Sequence, residues 1–163
     1  MVYTLHGDDK RMITYQEESY NQIIEDLKPL LELHYKEIAM YQDNIDLNPN
    51  YGIYEIMYET GQVHFYTARD NKELVGYAIT FMQQHPHYMD HVFAVNDIVY
   101  VKEEHRHTDV APTMLTKLEQ IMKDDGVSVM TFHMKSFKPF ETLMDYLEFD
   151  KAEFLFTKYI KDD

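Results

Sequence analysis

The chain has no cysteine. That absence excludes disulfides, thiolate zinc sites and a thiol nucleophile, so any chemistry rests on oxygen and nitrogen groups. No apolar run reaches the length of a membrane span, and the stretch from Met1 to Tyr15 lacks the apolar core of a secretory signal. The expectation is a cytoplasmic protein without a membrane partner. Basic residues are scarce: 15 Lys and Arg stand against 29 Asp and Glu, a formal net charge of -14. So acidic a chain repels phosphate backbones, so no nucleic-acid partner is expected, and a cationic substrate or partner suits it better. Repeats, low-complexity tracts and Gly/Ser linkers are also missing. The 163 residues read as one domain, 1–163, with 1–10 as a loose tail.

What is present is the composition of a packed protein, 45% hydrophobic and 14% aromatic. Arg11 to Tyr15 reads as a first strand. From Tyr20, the apolar residues Ile23, Ile24, Leu27, Leu30, Leu31 and Ile38 recur at helical spacing, with a kink or restart expected near Lys28 because Pro29 removes an amide. Asn48-Pro49 reads as a cap and first position of a second helix, Asn50 to Thr60, stopped by Gly61. Val63 to Ala68 and Leu74 to Met82 form a hairpin pattern around the turn Arg69 to Glu73. A loop, Gln83 to His91, leads to a long apolar strand, Val92 to Val101. The charged turn Lys102 to Asp109 follows, and then a helix with the stripe Val110, Ala111, Met114, Leu115, Leu118, Ile121, Met122. Val127 to Met134 reads as a strand, Pro139 to Leu147 as a helix, and Ala152 to Ile160 as one or two closing strands.

A strand that feeds straight into a helix N-terminus makes an anion site, because the first-turn amides lack partners and the helix dipole is positive there. In that turn Arg106-His107-Thr108-Asp109-Val110-Ala111 resembles motif A of the GCN5-related N-acetyltransferases (GNAT family), an Arg or Gln followed at set spacing by Gly and by Gly or Ala. Arg106 and Ala111 match, Asp109 replaces the first glycine, and Pro112 follows. Leu143 to Phe149 is similar to the family's last-helix pattern, and Lys72 to Ala78 to its hairpin ending in Val-Gly-Tyr. The order of elements is also that of the family. The resemblance implies an α/β (α+β) fold with a mixed, mostly antiparallel sheet of six to seven strands and about four helices.

It further implies acetyl-CoA as acyl donor and transfer to a primary amine of a small molecule or a lysine-like protein group, with a homodimer compatible. Backbone groups of Val99 and Val101 would pair with the pantetheine arm. Arg106 and the amides of His107, Thr108, Asp109, Val110 and Ala111 would face the pyrophosphate. Amine acetylation needs a general base, and Asp97, two residues before Val99 and on its face by strand alternation, is the candidate. The alternative is a polar residue bonded to backbone at a strand distortion. The family's helix tyrosine, which protonates the leaving thiolate, is replaced by Met144. Tyr146 lies about 200° further around the helix, and His133 or Tyr100 could substitute. The acceptor would lie among His34, Tyr35, Glu37, Tyr51, Tyr54 and the loop that includes His87, where tyrosines and carboxylates suit a cation. The histidines of that loop match no closed zinc pattern, so no metal is expected.

Two departures weaken the anion site. Asp109 precedes the helix and is expected to cap it, satisfying amides a pyrophosphate would use, so Asp109→Gly should strengthen CoA binding. Pro112 removes one more amide. Together with Met144 they keep open a second reading, a catalytically weakened acidic interaction or inhibitor protein on this fold, for which a phage origin would fit the charge.

Overall fold

A computed structural model describes residues 12–161. The expected loose tail, 1–10, lies outside them. Five strands form one sheet in the order β1-β2-β3-β4-β5: β1 Ile13–Glu18, β2 Val63–Asp70, β3 Glu73–His85, β4 Tyr88–Val101 and β5 Val127–Thr131. The first four pair antiparallel in sequence order, and β5 joins β4 in parallel. The helices are α1 Tyr20–Ile38, α2 Tyr51–Glu59, α3 Val110–Asp124 and α4 Glu141–Tyr146. The mixed α/β architecture is the expected one, with five strands in place of six to seven.

The sheet is covered on both faces, which explains why β3 reads as nearly continuous apolar sequence. Leu74, Tyr77 and Ile79 pack with α1 and α2, while Val75 and Ala78 pack with α3. Between them Gly76 lies opposite Val101, where a Cβ would come within 3.2 Å of Val101 Cγ2 and 3.3 Å of the Tyr100 carbonyl. The close approach of β3 to β4 at that row therefore depends on a residue without a side chain.

Several boundaries move. α1 runs through Pro29 without a restart, because seven buried residues along it, from Tyr20 to His34, hold it to the sheet. Asn50, not Asn48, caps α2, its Oδ1 accepting from the Ile53 amide at 3.2 Å. The segment expected as a loop, 83–91, is mostly strand: β3 and β4 extend through it as a ladder to His85 and Tyr88. Rings of His85, Tyr88 and Phe93 cluster there at centroid distances of 4.8 to 6.1 Å, Tyr88 stacked on Phe93, and support the extension. In the other direction, 152–160 has the composition of a strand but forms none.

Candidate active site at the fork between β4 and β5

β4 and β5 pair from Val92 and Val127 only as far as Val95 and Thr131, and β4 then continues to Val101 with no strand beside it on that side among the described residues. The latch at the parting point is Asn96. Its buried side chain reaches across, and Oδ1 accepts the His133 amide at 2.5 Å, so a side chain replaces the next rung of the ladder. Opposite it on β3, Thr80 has a buried hydroxyl with no partner among the described residues. Lys102 donates its amide to Val75 on β3. By antiparallel alternation, Tyr100 and Ile98 also point their backbone groups at β3, whereas Val99 and Val101 point theirs away, into the fork. The backbone groups at both positions thus point away from β3, and that of Val101 meets the Arg106 side chain.

Asp97 is the extra residue of a β-bulge. Ile79 pairs with Ile98 but Thr80 pairs with Asn96, so one residue of β4 has no opposite number. The bulge reverses the alternation: Ala94 packs on the α3 face, yet Ile98 and Tyr100 pack on the face of α1 and α2. Asp97 and Val99 therefore do not share a face, contrary to the simple period-two expectation. The carboxylate of Asp97 turns toward α2, where the Tyr54 hydroxyl donates to its Oδ2 at 2.5 Å. Tyr54 is itself held by Phe81, stacked at 6.1 Å, and by Phe65. Asp97 keeps an exposed face, but the protein around its carboxylate removes enough water to raise its pKa above the usual carboxylate range, and the Tyr54 hydrogen bond offsets part of that. Burial, followed by the bond to Asp97, pushes the Tyr54 phenol far up, so it stays a donor.

Arg106 begins the turn after β4 but does not point freely outward. Its Nη1 and Nη2 donate to the two carboxylate oxygens of Glu37 on α1 at 2.6 and 2.8 Å, Nε donates to the Val101 carbonyl at 2.7 Å, and the guanidinium lies 5.4 Å from the Tyr100 ring centroid. Lys138 reaches the same Glu37 at 3.3 Å. The Arg106 hydrogen bond holds Glu37 below the usual carboxylate range, so the pair is ionised at neutral pH. One carboxylate from α1 thereby engages the guanidinium of Arg106, which in turn covers one of the two backbone positions, Val101.

Beyond it, His107 has a left-handed backbone, φ 60°. The amides of His107, Thr108 and Asp109 have no partner among the described residues. Asp109 does not cap α3 with its side chain; its carbonyl accepts the Thr113 amide at 3.0 Å, and the Thr108 hydroxyl takes the Val110 amide at 3.3 Å. The reason is local. Asp109 has φ -79° and ψ 2°, not the extended cap conformation, and the third helical residue, whose amide a cap would bond, is Pro112. Side chains of Thr108, Asp109 and Val110 border a recess of about 340 Å³ against Ile13 and Tyr15 of β1. What this turn offers an anion is accordingly main chain, including Ala111 in the first turn of α3.

The expected acceptor residues scatter. Tyr54 is at the fork with Asp97. His34 is buried in the core, 3.4 Å from the Tyr77 hydroxyl and 5.0 Å from the Tyr100 ring, and desolvation lowers its pKa to about 4, so it is a neutral packing group and not a wall residue. Tyr35 donates its hydroxyl to the Ile45 carbonyl at 2.5 Å and borders a separate cavity of about 320 Å³ with Glu32, Leu47 and Tyr51. His87 is at the β3–β4 turn, about 30 Å along the strand from Asp97 at 3.3 Å per residue, and is not part of the fork. Met144 packs on the α3 face, Tyr146 is 72% exposed, and Tyr100 is tied up with Arg106, which leaves the exposed His133 as the titratable ring nearest the latch. Among the described residues no three His, Asp or Glu side chains converge to hold a metal ion. Asn96 escaped sequence reasoning, although two adjacent polar residues inside an apolar strand, Asn96-Asp97, are the signal of a bulge.

Comparison with known proteins agrees with this geometry. No curated protein matches the chain by sequence. Among solved structures, an aminoglycoside acetyltransferase from an uncultured soil metagenomic sample, in complex with sisomicin, superposes with TM-score 0.70 at 11% identity, covering 92% of this chain and 95% of that one. A predicted acetyltransferase with acetyl-CoA from Clostridium acetobutylicum gives 0.71 at 15%, covering 90% and 96%. A ribosomal-protein-alanine N-acetyltransferase from Brucella melitensis biovar Abortus gives 0.63 at 16%, covering 93% and 99%. Likeness at such identities shows the fold alone, but residues 20–139 match the family model described as "Acetyltransferase (GNAT) family". With the greater part of its length matched, and with a forked sheet of the expected topology, the chain belongs to the GNAT acetyltransferase family.

Proposed function

We propose that this chain transfers an acetyl group from acetyl-CoA to a primary amine, of a small molecule or of a lysine-like group on a protein. The observation that carries the reading is the fork: Val99 and Val101 turn their backbone groups into it, the Val101 carbonyl held by Arg106, and the bulge sets a carboxylate with a raised pKa at its edge. The residues fit the donor in kind. Main-chain donors and acceptors along β4 suit the amides of a pantetheine arm, and the free amides of His107, Thr108 and Asp109 suit a pyrophosphate. Acetyl-CoA supplies a thioester whose acyl carbon accepts the amine nitrogen. Asp97 supplies the base: Tyr54 holds Oδ2, and Oδ1 is left to take a proton from the acceptor ammonium, giving the neutral amine that attacks. A carboxylate of raised pKa is better matched to that task at neutral pH than an ordinary one. The thiolate leaves without an acid from α4, because a thiol of ordinary pKa near 8.5 is already a tolerable leaving group.

Neighbours of this fold include proteins described as aminoglycoside and ribosomal-protein acetyltransferases, so both acceptor classes are open to it. The acidity of the chain favours a polycationic amine. The test is a thermal-shift titration with acetyl-CoA at millimolar concentration, followed by release of free thiol in the presence of polyamines, aminoglycosides and lysine peptides. Stabilisation by acetyl-CoA and amine-dependent thiol release are expected. Neither effect at saturating donor would overturn the reading. That outcome would favour a non-catalytic acidic interaction protein, which one observation supports: the Arg106 guanidinium is already neutralised from within by Glu37.

A further inference from the structure

The stretch that leaves β5 is tied back to the fork at two points. At its start the His133 amide donates to Asn96 Oδ1, where β4 and β5 part. At its end a turn, closed by the Lys138 amide on the Lys135 carbonyl at 3.0 Å, brings Lys138 Nζ to Glu37 Oε1 at 3.3 Å. The same Glu37 holds Arg106, and Arg106 holds the Val101 carbonyl. The two ties therefore bracket the stretch of β4 from Asp97 to Val101 that has no strand beside it among the described residues. They differ in kind. The first is a buried side chain on a backbone amide, whereas the second is one ion pair whose side chains are 51 and 25% exposed, and exposed pairs contribute little. The Lys138 end is accordingly the one that opens, with the Asn96 end as its hinge.

Glu37 fits the two cations imperfectly. Its Oε1 is shared by Arg106 Nη1 and Lys138 Nζ, while Oε2 takes only Arg106 Nη2. A diphosphate carries more charge and enough oxygens to give each cation its own. We propose that residues 133–138 form a strap across the fork with Glu37 as its clasp, and that a diphosphate opens it by replacing Glu37 between Arg106 and Lys138, so that Lys138 becomes the second cation of the anion site. The identity of that diphosphate rests on the reading of the fork as the acetyl-CoA site. Within the turn the other long cation, Lys102, is engaged by Glu73, so a second cation has to come from the opposite bank. Arg106 chiefly, and Lys138 with it, hold the Glu37 carboxylate below the usual range, so at neutral pH a competing anion and not a proton releases it. In a chain of net charge -14, gathering two cations on one ligand also offsets the repulsion that an anion meets on approach.

Calorimetric titration of the full chain with inorganic pyrophosphate and, separately, with CoA tests this. The decisive comparison is made in Glu37→Gln, where the clasp no longer carries charge. Adding Lys138→Gln there should weaken both ligands about tenfold, the loss of one charge-assisted contact, whereas adding Lys138→Arg should keep both affinities. Since the chain has no tryptophan, Phe137→Trp, at a position 54% exposed, reports on the strap alone. With Glu37 intact, its emission should change when either ligand binds. CoA affinity indifferent to Lys138, or an emission that stays fixed at saturation, would overturn the proposal and leave the donor reading standing. Pyrophosphate binding that needs Lys138, with no binding of CoA, would uphold the strap and overturn the donor reading instead. Binding of neither ligand would overturn both.

Discussion

Glu37→Gln should make CoA bind more tightly while making the protein less stable. In the structure the Glu37 carboxylate occupies both outer nitrogens of Arg106 and also reaches Lys138. If a pyrophosphate is to use Arg106, it must first displace that carboxylate. Hydrogen bonds to charged groups contribute about 1.5–3 kcal/mol. The two side chains are 30 and 25% exposed, so solvent screening reduces the figure, and Gln retains one acceptor oxygen. A net of about 1–2 kcal/mol follows, which predicts a gain in CoA affinity of about 5- to 30-fold. The same substitution unties α1 from the turn after β4, so urea unfolding at pH 7 should show a loss of about 1 kcal/mol. Calorimetric titration with CoA and the unfolding curve together make the check. A folded Glu37→Gln protein with unchanged or weaker CoA binding would show that Arg106 is a structural tie between α1 and β4 and takes no part in anion binding.

Three further outcomes follow from the same neighbourhood. Tyr54→Phe removes the bond that holds the Asp97 pKa down, so the acidic limb of the pH–rate profile should move to higher pH; an unmoved limb would dissociate Asp97 from catalysis. Asn96→Ala leaves the His133 amide without its partner at the fork, which should cost about 1–3 kcal/mol in urea unfolding; a neutral result would show the latch to be dispensable. His34 has a folded pKa of about 4 against 6.5 in the unfolded chain. The unfolded state then binds the extra proton first as pH falls, so wild type should lose on the order of 3 kcal/mol between about pH 6.5 and pH 4, at about 1.36 kcal/mol per pK unit. His34→Gln should lack that part of the slope, and parallel stability curves for the two proteins would refute the assignment.

How far the sequence reveals this depends on whether a feature is set by periodicity or by an exception to it. α1 and α3 are legible because their apolar residues repeat at helical spacing and most of each stripe is buried. The hairpin 83–91 is not, because its clustered rings of His85, Tyr88 and Phe93 belong to no core and look like loop chemistry in a one-dimensional string. At the fork, alternation correctly put Asp97 inside the strand but on the wrong face, since a bulge reverses the count and only the neighbouring polar pair Asn96-Asp97 hints at it. His34 is ambiguous in sequence for a related reason: helical spacing says that it faces inward, and a neutral imidazole packs in an aromatic core as readily as at a wall. Arg106 was recognised, but its partner comes from α1, 69 residues earlier in sequence, and no local spacing records that.

The same long-range pairing reframes why the motif departs from its glycine pattern. With Asp109 not capping α3, and with Pro112 removing the amide such a cap would bond, the turn keeps free main-chain donors at His107, Thr108 and Asp109. The donors are therefore not what limits an anion here; competing carboxylates are. Arg106 is neutralised by Glu37, Lys102 by Glu73, and the chain as a whole carries -14. A highly charged anion such as CoA then meets two opposed effects of salt. Screening of the distant negative field favours its approach, and screening of any close contact with Arg106 weakens it. If the long-range field dominates, CoA affinity rises with added salt in wild type, and in Glu37→Gln, where the close contact is free to form, the dependence flattens or reverses. Wild-type affinity that falls steeply with salt would mean that the local cations are already available and that Glu37 is not the competitor.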